Sequence, residues 1–243
     1  MGGADPALVR RARQARYSAR YFLNGYPGIY VPLARLRHGS REDRLVRRDT
    51  EIVIEGFGRS GNTFAVVAFQ LAQDQPVKVV HHTHAAAQVI RAVKLSIPVI
   101  LLVRNPVDTV VSHMMYRSIP ARAALTAWVR YHARLIPHRR GFVVSGFDVS
   151  TTDLGSVIRE VNIRFGTSFK EFRHTEENLQ HVFGVIERQN RERFGRVSET
   201  ISRPTAERDR RKSALRRDIE DERLARLRGH AEAIYQRLVP SEG

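Results

Sequence analysis

Residues 56–63 read Gly56-Phe57-Gly58-Arg59-Ser60-Gly61-Asn62-Thr63, in which glycines bracket a cation and a hydroxyl closes the run. The chemistry such a loop serves is anion binding: backbone N–H groups line a cradle, and the positive end of the following helix adds to the field. The ordinary nucleotide loop is G-x-x-x-x-G-K-[ST], where the lysine reaches the β/γ-phosphates and the hydroxyl holds Mg²⁺. Here Asn62 stands in the lysine position, and the cation lies three residues earlier as Arg59. The cradle survives while the tool for a triphosphate is missing, which points away from ATP hydrolysis and towards another phosphate-bearing donor. A loop that only connects a strand to a helix has no need of Arg59 beside Ser60.

Arg104-Asn105-Pro106-Val107-Asp108-Thr109-Val110-Val111-Ser112 is a second constellation. An Arg at the carboxyl end of a buried strand lies where open α/β sheets bind ligands. Pro106 can open the next helix, and Ser112 then stands about two turns along it. An arginine fork and a hydroxyl converging on one spot would suit a second, separate phosphate. The bland reading pairs Arg104 with Asp108 and turns Ser112 to a neighbouring helix. Between the two segments lies His81-His82-Thr83-His84. A histidine beside a phosphate cradle is a natural general base, since its pKa lies near neutrality. On an extended chain His82 and His84 share a face, as a metal pair would, but no Cys or well-spaced carboxylate completes such a site. Structural histidines are the alternative.

These residues need elements to position them. Glu51-Ile52-Val53-Ile54-Glu55 is a β-branched strand run, and Phe64, Val67, Ala68 and Leu71 mark one helix face after the loop. Val77 to His82 reads as a second strand, Ala85 to Leu95 as a helix, and Pro98 to Val103 as a central parallel strand buried on both sides. Helices are expected around 107–117 and 121–135, and a strand over Gly141 to Ser145. Amphipathic helices follow with Leu154, Val157 and Ile158, then with Leu179, Val182 and Ile186, and last with Leu224, Leu227 and Ile234. This alternation predicts an α/β fold: a P-loop-type parallel sheet with helices on both faces and a helical C-terminal part. A single domain over 1–243 is expected, with a basic arm over 1–48 and the core over 51–240. Within the arm, residues 1–20 read as helix-like with little apolar surface, and Tyr21 to Leu36 as irregular chain.

At 243 residues and 42% hydrophobic content, the chain can bury a sizeable core. No run approaches the roughly 20 apolar residues of a membrane span, and the Arg-rich start lacks the apolar stretch and cleavage site of a signal peptide. Zero cysteines exclude disulfides, a thiolate nucleophile and a Cys-ligated zinc site. A cytoplasmic protein, or one peripheral to a membrane surface, is the expectation. The formal charge of +16 is concentrated in residues 10–48 and 203–228. It suits an Arg-biased solvated surface, an anionic cofactor, an acidic acceptor, an anionic membrane or nucleic acid, and charge alone does not choose.

Together the three segments resemble the sulfotransferases that use 3′-phosphoadenosine 5′-phosphosulfate (PAPS), the small bacterial type above all, over most of residues 51–240. The family's 5′-phosphosulfate loop, P-[KR]-S-G-[TN]-T-[WF], is matched by Gly58 to Phe64 except for Gly58 in place of Pro. Its 3′-phosphate motif, R-[ND]-P-x-D-x-x-x-S, is matched in full from Arg104 to Ser112, and its catalytic K-T-H resembles His82-Thr83-His84. The resemblance implies metal-independent, in-line sulfuryl transfer to an acceptor hydroxyl or amine, leaving adenosine 3′,5′-bisphosphate (PAP). Arg59 and the N–H groups of Ser60, Gly61, Asn62 and Thr63 would hold the phosphosulfate, Phe64 would stack on adenine, and Arg104 with Ser112 would take the 3′-phosphate. His84 would accept the acceptor's proton, with His82 as its rival. The family's R-K-G-x-x-G-x-W-K segment is absent; Ser202-Arg203-Pro204-Thr205 followed by Arg208 and Lys212 is the possible substitute, against a simple exposed basic helix. The family's Tyr-Glu-Asp is replaced by Phe147-Asp148.

Two other classes compete. A divergent P-loop kinase or NTPase would bind ATP with Mg²⁺, and the missing lysine argues against it. A non-catalytic nucleic-acid-binding protein would use the charge, but Tyr17, Tyr21 and Tyr26 give only a hint of interleaved aromatics. The acceptor, whether small molecule, glycan or lipid, has no signature; segments 17–40, 113–140 and 166–180 are where its contacts are expected.

Overall fold

The computed structural model describes residues 6–39, 41–194 and 206–239. Four parallel strands, β1 (Ile52–Gly56), β2 (Val79–His81), β3 (Val99–Val103) and β4 (Val143–Gly146), form one sheet in the order β2-β1-β3-β4. Its helices are, in chain order, α1 (Pro6–Leu23), α2 (Pro27–His38), α3 (Asn62–Ala72), α4 (Ala86–Lys94), α5 (Pro106–Arg117) and α6 (Ala121–Ala133). They continue with α7 (Phe147–Thr152), α8 (Leu154–Phe165), α9 (Glu176–Phe194), α10 (Ala206–Glu220) and α11 (Ala225–Leu238). No helix of the described residues is long and apolar enough to cross a membrane.

Successive strand residues point to opposite faces, and both faces here are buried. Val53, Val99, Leu101 and Val103 pack with residues of α4, α5, α6 and α11, around the fully buried Trp128. Ile52, Ile54, Ile100 and Leu102 pack with residues of α3, α8 and α9 on the other side. That double burial is why the strands read as unbroken apolar runs rather than alternating ones. The predicted parallel sheet, covered on both faces and followed by C-terminal helices, is the fold observed.

The strand order sets the site. From β1 the chain moves to β2 on one side, and from β3 to β4 on the other, so the direction switches between adjacent β1 and β3. In open α/β sheets a crevice forms outside the carboxyl ends of the strands at such a switch point. Gly56 pairs with Leu102 and Val103 with Gly146, so the loops after β1, β3 and β4 leave the sheet at nearly one level.

Some local expectations are corrected. Tyr21 to Leu36 is not irregular: α1 runs through Leu23 and α2 begins at Pro27. Proline at a helix start has no N–H to waste and a φ already suited to the helix, so the Pro-Gly signal marks a helix start rather than a loop. The N-terminal segment also has apolar surface to offer, since Tyr21 is buried and Tyr17 packs against the same core. Strand β2 spans only 79–81, short of the expected 77–82. A 3₁₀ helix over Ile136–Gly141 delays β4 to Val143.

Candidate functional site

The loop after β1 is built to leave donors exposed to a ligand. Gly61 takes φ 90° as the N-cap of α3 and brings no side-chain cap, so the first-turn N–H groups of α3 receive no acceptor from it. The Ser60 side chain is fully buried and its Oγ has no hydrogen-bond partner among the described residues. Asn62 does not reach towards a ligand as the lysine would. Its Nδ2 instead donates to the Phe57 carbonyl at 3.2 Å and braces the loop from within. Arg59 has φ 77°, a left-handed conformation that costs a residue with a Cβ about 1–2 kcal/mol. A strained residue held at a loop apex is a pointer to function rather than to folding.

Arg59 Nε donates to Ser112 Oγ at 3.0 Å, across 53 residues of chain, and its guanidinium lies 5.5 Å from the Tyr116 ring centre. The two phosphate-type segments therefore meet directly. Arg104 lies 4.1 Å over the ring of Phe147, the first residue of α7, which fixes the guanidinium plane. Phe147 also packs under the loop, where a Cβ on Gly61 would be 3.4 Å from its ring. Asp108 pairs with Arg216 of α10 and not with Arg104. The N-terminus of α5 is already satisfied, because Asn105 Oδ1 accepts from Val107 and Asp108 N–H. Of the two helix starts that follow β1 and β3, only that of α3 lacks a side-chain cap.

Gly58, where the resembling family has proline, is explained by α5. A Cβ there would fall 2.8 Å from His113 Cε1, so His113 and a bare Gly58 fit each other. His113 is buried with its pKa pushed down to about 3, first by desolvation, and is neutral. Tyr17 and Tyr21 of α1 pack round it, with ring centres 5.7 and 6.2 Å away.

The histidine segment is not extended. His82 and His84 both have left-handed φ, 54° and 50°, yet their ring centres lie 6.0 Å apart, so the two rings are neighbours without an extended chain. His82 has both ring nitrogens engaged: Nε2 with Thr63 Oγ1 at 3.1 Å and Nδ1 with His81 Nδ1 at 2.8 Å. His84 has Nδ1 2.8 Å from the Gly56 carbonyl, a contact only an Nδ1–H can make well, which leaves the lone pair on Nε2. Burial, the largest cause, lowers its pKa to about 4, and Arg20, Arg117 and Arg44 lower it further against the Gly56 bond. His84 is therefore neutral at pH 7, its lowered pKa making it a weaker base than a free imidazole. Among the described residues no three His, Asp or Glu side chains group as a metal site.

Glu55 holds this segment in place. Its carboxylate is fully buried at the end of β1 and accepts from the N–H groups of Thr83 at 2.6 Å and His84 at 2.9 Å. It also lies 4.0 Å from His84 Nδ1, where its charge would favour an imidazolium. Burial pushes its pKa up to about 7 against those two N–H bonds. A raised carboxylate pKa means stability present below the unfolded value of about 4.5 and lost as pH rises through about 7. Relative to Glu55→Gln, the wild type is expected to lose about 3 kcal/mol of unfolding free energy between pH 4.5 and 7. Urea melts at several pH values measure it; parallel pH profiles for the two proteins would refute the assignment.

Phe64 is half-buried, its ring centre 6.0–6.3 Å from those of His174, Phe183 and Phe172. Lys212 lies on α10, one turn before Arg216, so its helix runs beside the start of α5. The Arg208 backbone belongs to α10, but its side chain and Ser202 to Thr205 lie outside the described residues. Sequence reasoning missed Glu55, His113 and Tyr116, and the packing of Phe147 against Arg104 and the loop. Tyr116 had a signal, four residues and one helical turn beyond Ser112, and Glu55 had one as the acid closing an apolar strand.

No family model matches the chain, and no curated protein does. Among solved structures it matches the crystal structure of mouse sulfotransferase SULT7A1 complexed with PAP, at 15% identity and a TM-score of 0.41, over 80% of this chain and 92% of that one. A likeness at that level decides nothing about function, and the functional reading rests on this chain's own residues.

Proposed function

We propose that this chain transfers a sulfuryl group from PAPS to a hydroxyl or amine of an acceptor. The observation that carries the reading is the Arg59–Ser112 bond at 3.0 Å, which joins two anion-type segments in one switch-point crevice. A ligand with phosphates at both its 5′ and 3′ positions needs such a pair. The unpartnered Ser60 Oγ and the uncapped start of α3 suit the anion, and Asn62, turned into the loop, offers no cation for a triphosphate.

In this reading the N–H groups of Gly61 to Thr63 and Arg59 hold the 5′-phosphosulfate, since the Ser60 N–H already donates to the Phe57 carbonyl at 3.2 Å, while Arg104 and Ser112 hold the 3′-phosphate and Phe64 one face of the adenine. Lys212 of α10 and Arg208, whose side chain lies outside the described residues, are the further cations this reading assigns to the cofactor phosphates. When bound, PAPS supplies the sulfuryl group and a phosphate leaving group. The chain's part is positioning and neutralisation of charge on the leaving oxygen, as in phosphoryl transfer. His84 Nε2 takes the acceptor's proton as the acceptor oxygen or nitrogen bonds to sulfur and the bond to the leaving phosphate breaks. Glu55 and the Gly56 carbonyl then face the charged ring. Tyr17, Tyr21 and His113 wall the other side of the loop and belong to the segments expected to meet the acceptor.

The test is PAPS turnover with a panel of hydroxyl and amine acceptors. PAP release matched by sulfated acceptor and unaffected by EDTA is expected. Mg²⁺-dependent ATP turnover without PAP release would place the chain with the kinases instead.

A further inference from the structure

Residues 6–41 contain eight arginines and no Asp or Glu. On α2, Ile29, Leu33 and Leu36 stand at i, i+4 and i+7 and are 42%, 50% and 86% exposed. The helix turns its other side, Val31 and Ala34, into a small cluster with Leu45. One outward stripe is thus apolar throughout, in a helix whose only charges are basic. Isolated exposed leucines mean little, but an aligned stripe flanked by Arg35 and Arg37 is the pattern of a helix that lies in a membrane interface.

A groove beside this stripe supplies the second observation. A cavity of about 480 Å³ between α2 and α4 is lined by the apolar Pro27, Val31, Pro32 and Leu95 together with the cations Arg35, Arg91 and Lys94. An adjoining cavity shares Arg35 and Arg91 and adds Arg47 and Arg48. None of these five cations is in an ion pair among the described residues, and no carboxylate lines either cavity. Arg91 is held ready by its Nε bond to the Val46 carbonyl at 2.8 Å, and burial and Arg35 together lower its pKa. Pro32 of the groove stands three residues after Ile29 and four before Leu36 of the stripe, spacings that make neighbours on a helix surface, so groove and stripe adjoin along α2.

We propose that the α2 face docks on an anionic lipid surface: Ile29, Leu33 and Leu36 enter the headgroup boundary, and the five groove cations take lipid phosphates. Charge complementarity selects this occupant. A second copy would bring the same arginines against one another, and a neutral bilayer would leave the cations unanswered. The surface stands apart from the P-loop reading and survives or fails independently of it.

The test is co-sedimentation of the full chain with vesicles of phosphatidylcholine alone or with phosphatidylglycerol added. Binding only to the anionic vesicles is expected, released as salt shortens the screening length. Leu33→Ser with Leu36→Ser should lower the partition coefficient by about tenfold. Arg35→Glu with Arg48→Glu should lower it at least about tenfold. Circular dichroism and melting should be unchanged, since all four side chains lie on the surface. No vesicle binding, equal binding to both vesicle types, or binding untouched by these variants would overturn the proposal. So would equally tight binding to polyglutamate, which marks an acidic protein partner, or a dimer that Leu36→Ser dissociates.

Discussion

Replacing Arg59 with glycine is expected to lower turnover by about a hundred- to a thousandfold, the usual cost of removing one preorganised donor from a developing anion. Folding should not suffer, and the melting temperature should stay level or rise. The reason is geometric. Arg59 holds φ 77°, where glycine is at ease and arginine is strained, so the substitution relieves the backbone while removing the cation. Arg59→Ala should lose as much turnover without the gain in stability. Arg104→Ala should behave differently, weakening cofactor binding more than turnover, because its guanidinium is positioned on Phe147, which packs under the loop, for the 3′-phosphate rather than the leaving group. If both variants lost turnover and affinity in the same proportion, the division of labour between the two arginines would be wrong.

His84→Ala is expected to lower transfer by about a hundred- to ten-thousandfold, the range of a general base, while PAP affinity stays nearly unchanged. His82→Ala should retain more activity, since both His82 nitrogens are committed, to Thr63 and to His81. A transfer-competent His84→Ala beside a dead His82→Ala would assign the base to His82. In the wild type, kcat/KM should fall on the acid side as pH drops through about 4, where the free protein's His84 becomes protonated and loses its acceptor. An acid limb at the ordinary histidine value that vanishes in His82→Ala would point to the other ring.

What the sequence makes legible is local. The β-branched run, the glycines and the apolar helix face sit together within residues 51–71, and their order suffices for a strand, an anion loop and a helix. Arg104 to Ser112 is legible for the same reason. What escapes is tertiary or ambiguous. Nothing near residue 59 announces that its side chain meets Ser112, and nothing near 58 announces that His113 occupies the space a proline would need. Tyr26-Pro27-Gly28 carries a turn signal and a helix-start signal at once, and burial of α1 and α2 on the core decides for the helix. Glu55 reads as one more strand residue until the fold closes Thr83 and His84 over it.

The measurement that bears most directly on the central claim is calorimetric titration with PAP, with and without EDTA, and with ATP–Mg²⁺ for comparison. Micromolar PAP binding is expected, unchanged by EDTA and weakened in Arg104→Ala, with ATP–Mg²⁺ bound far less tightly. No PAP binding, or a preference for ATP–Mg²⁺, would contradict the sulfuryl-transfer reading and move the kinase and nucleic-acid readings to the front.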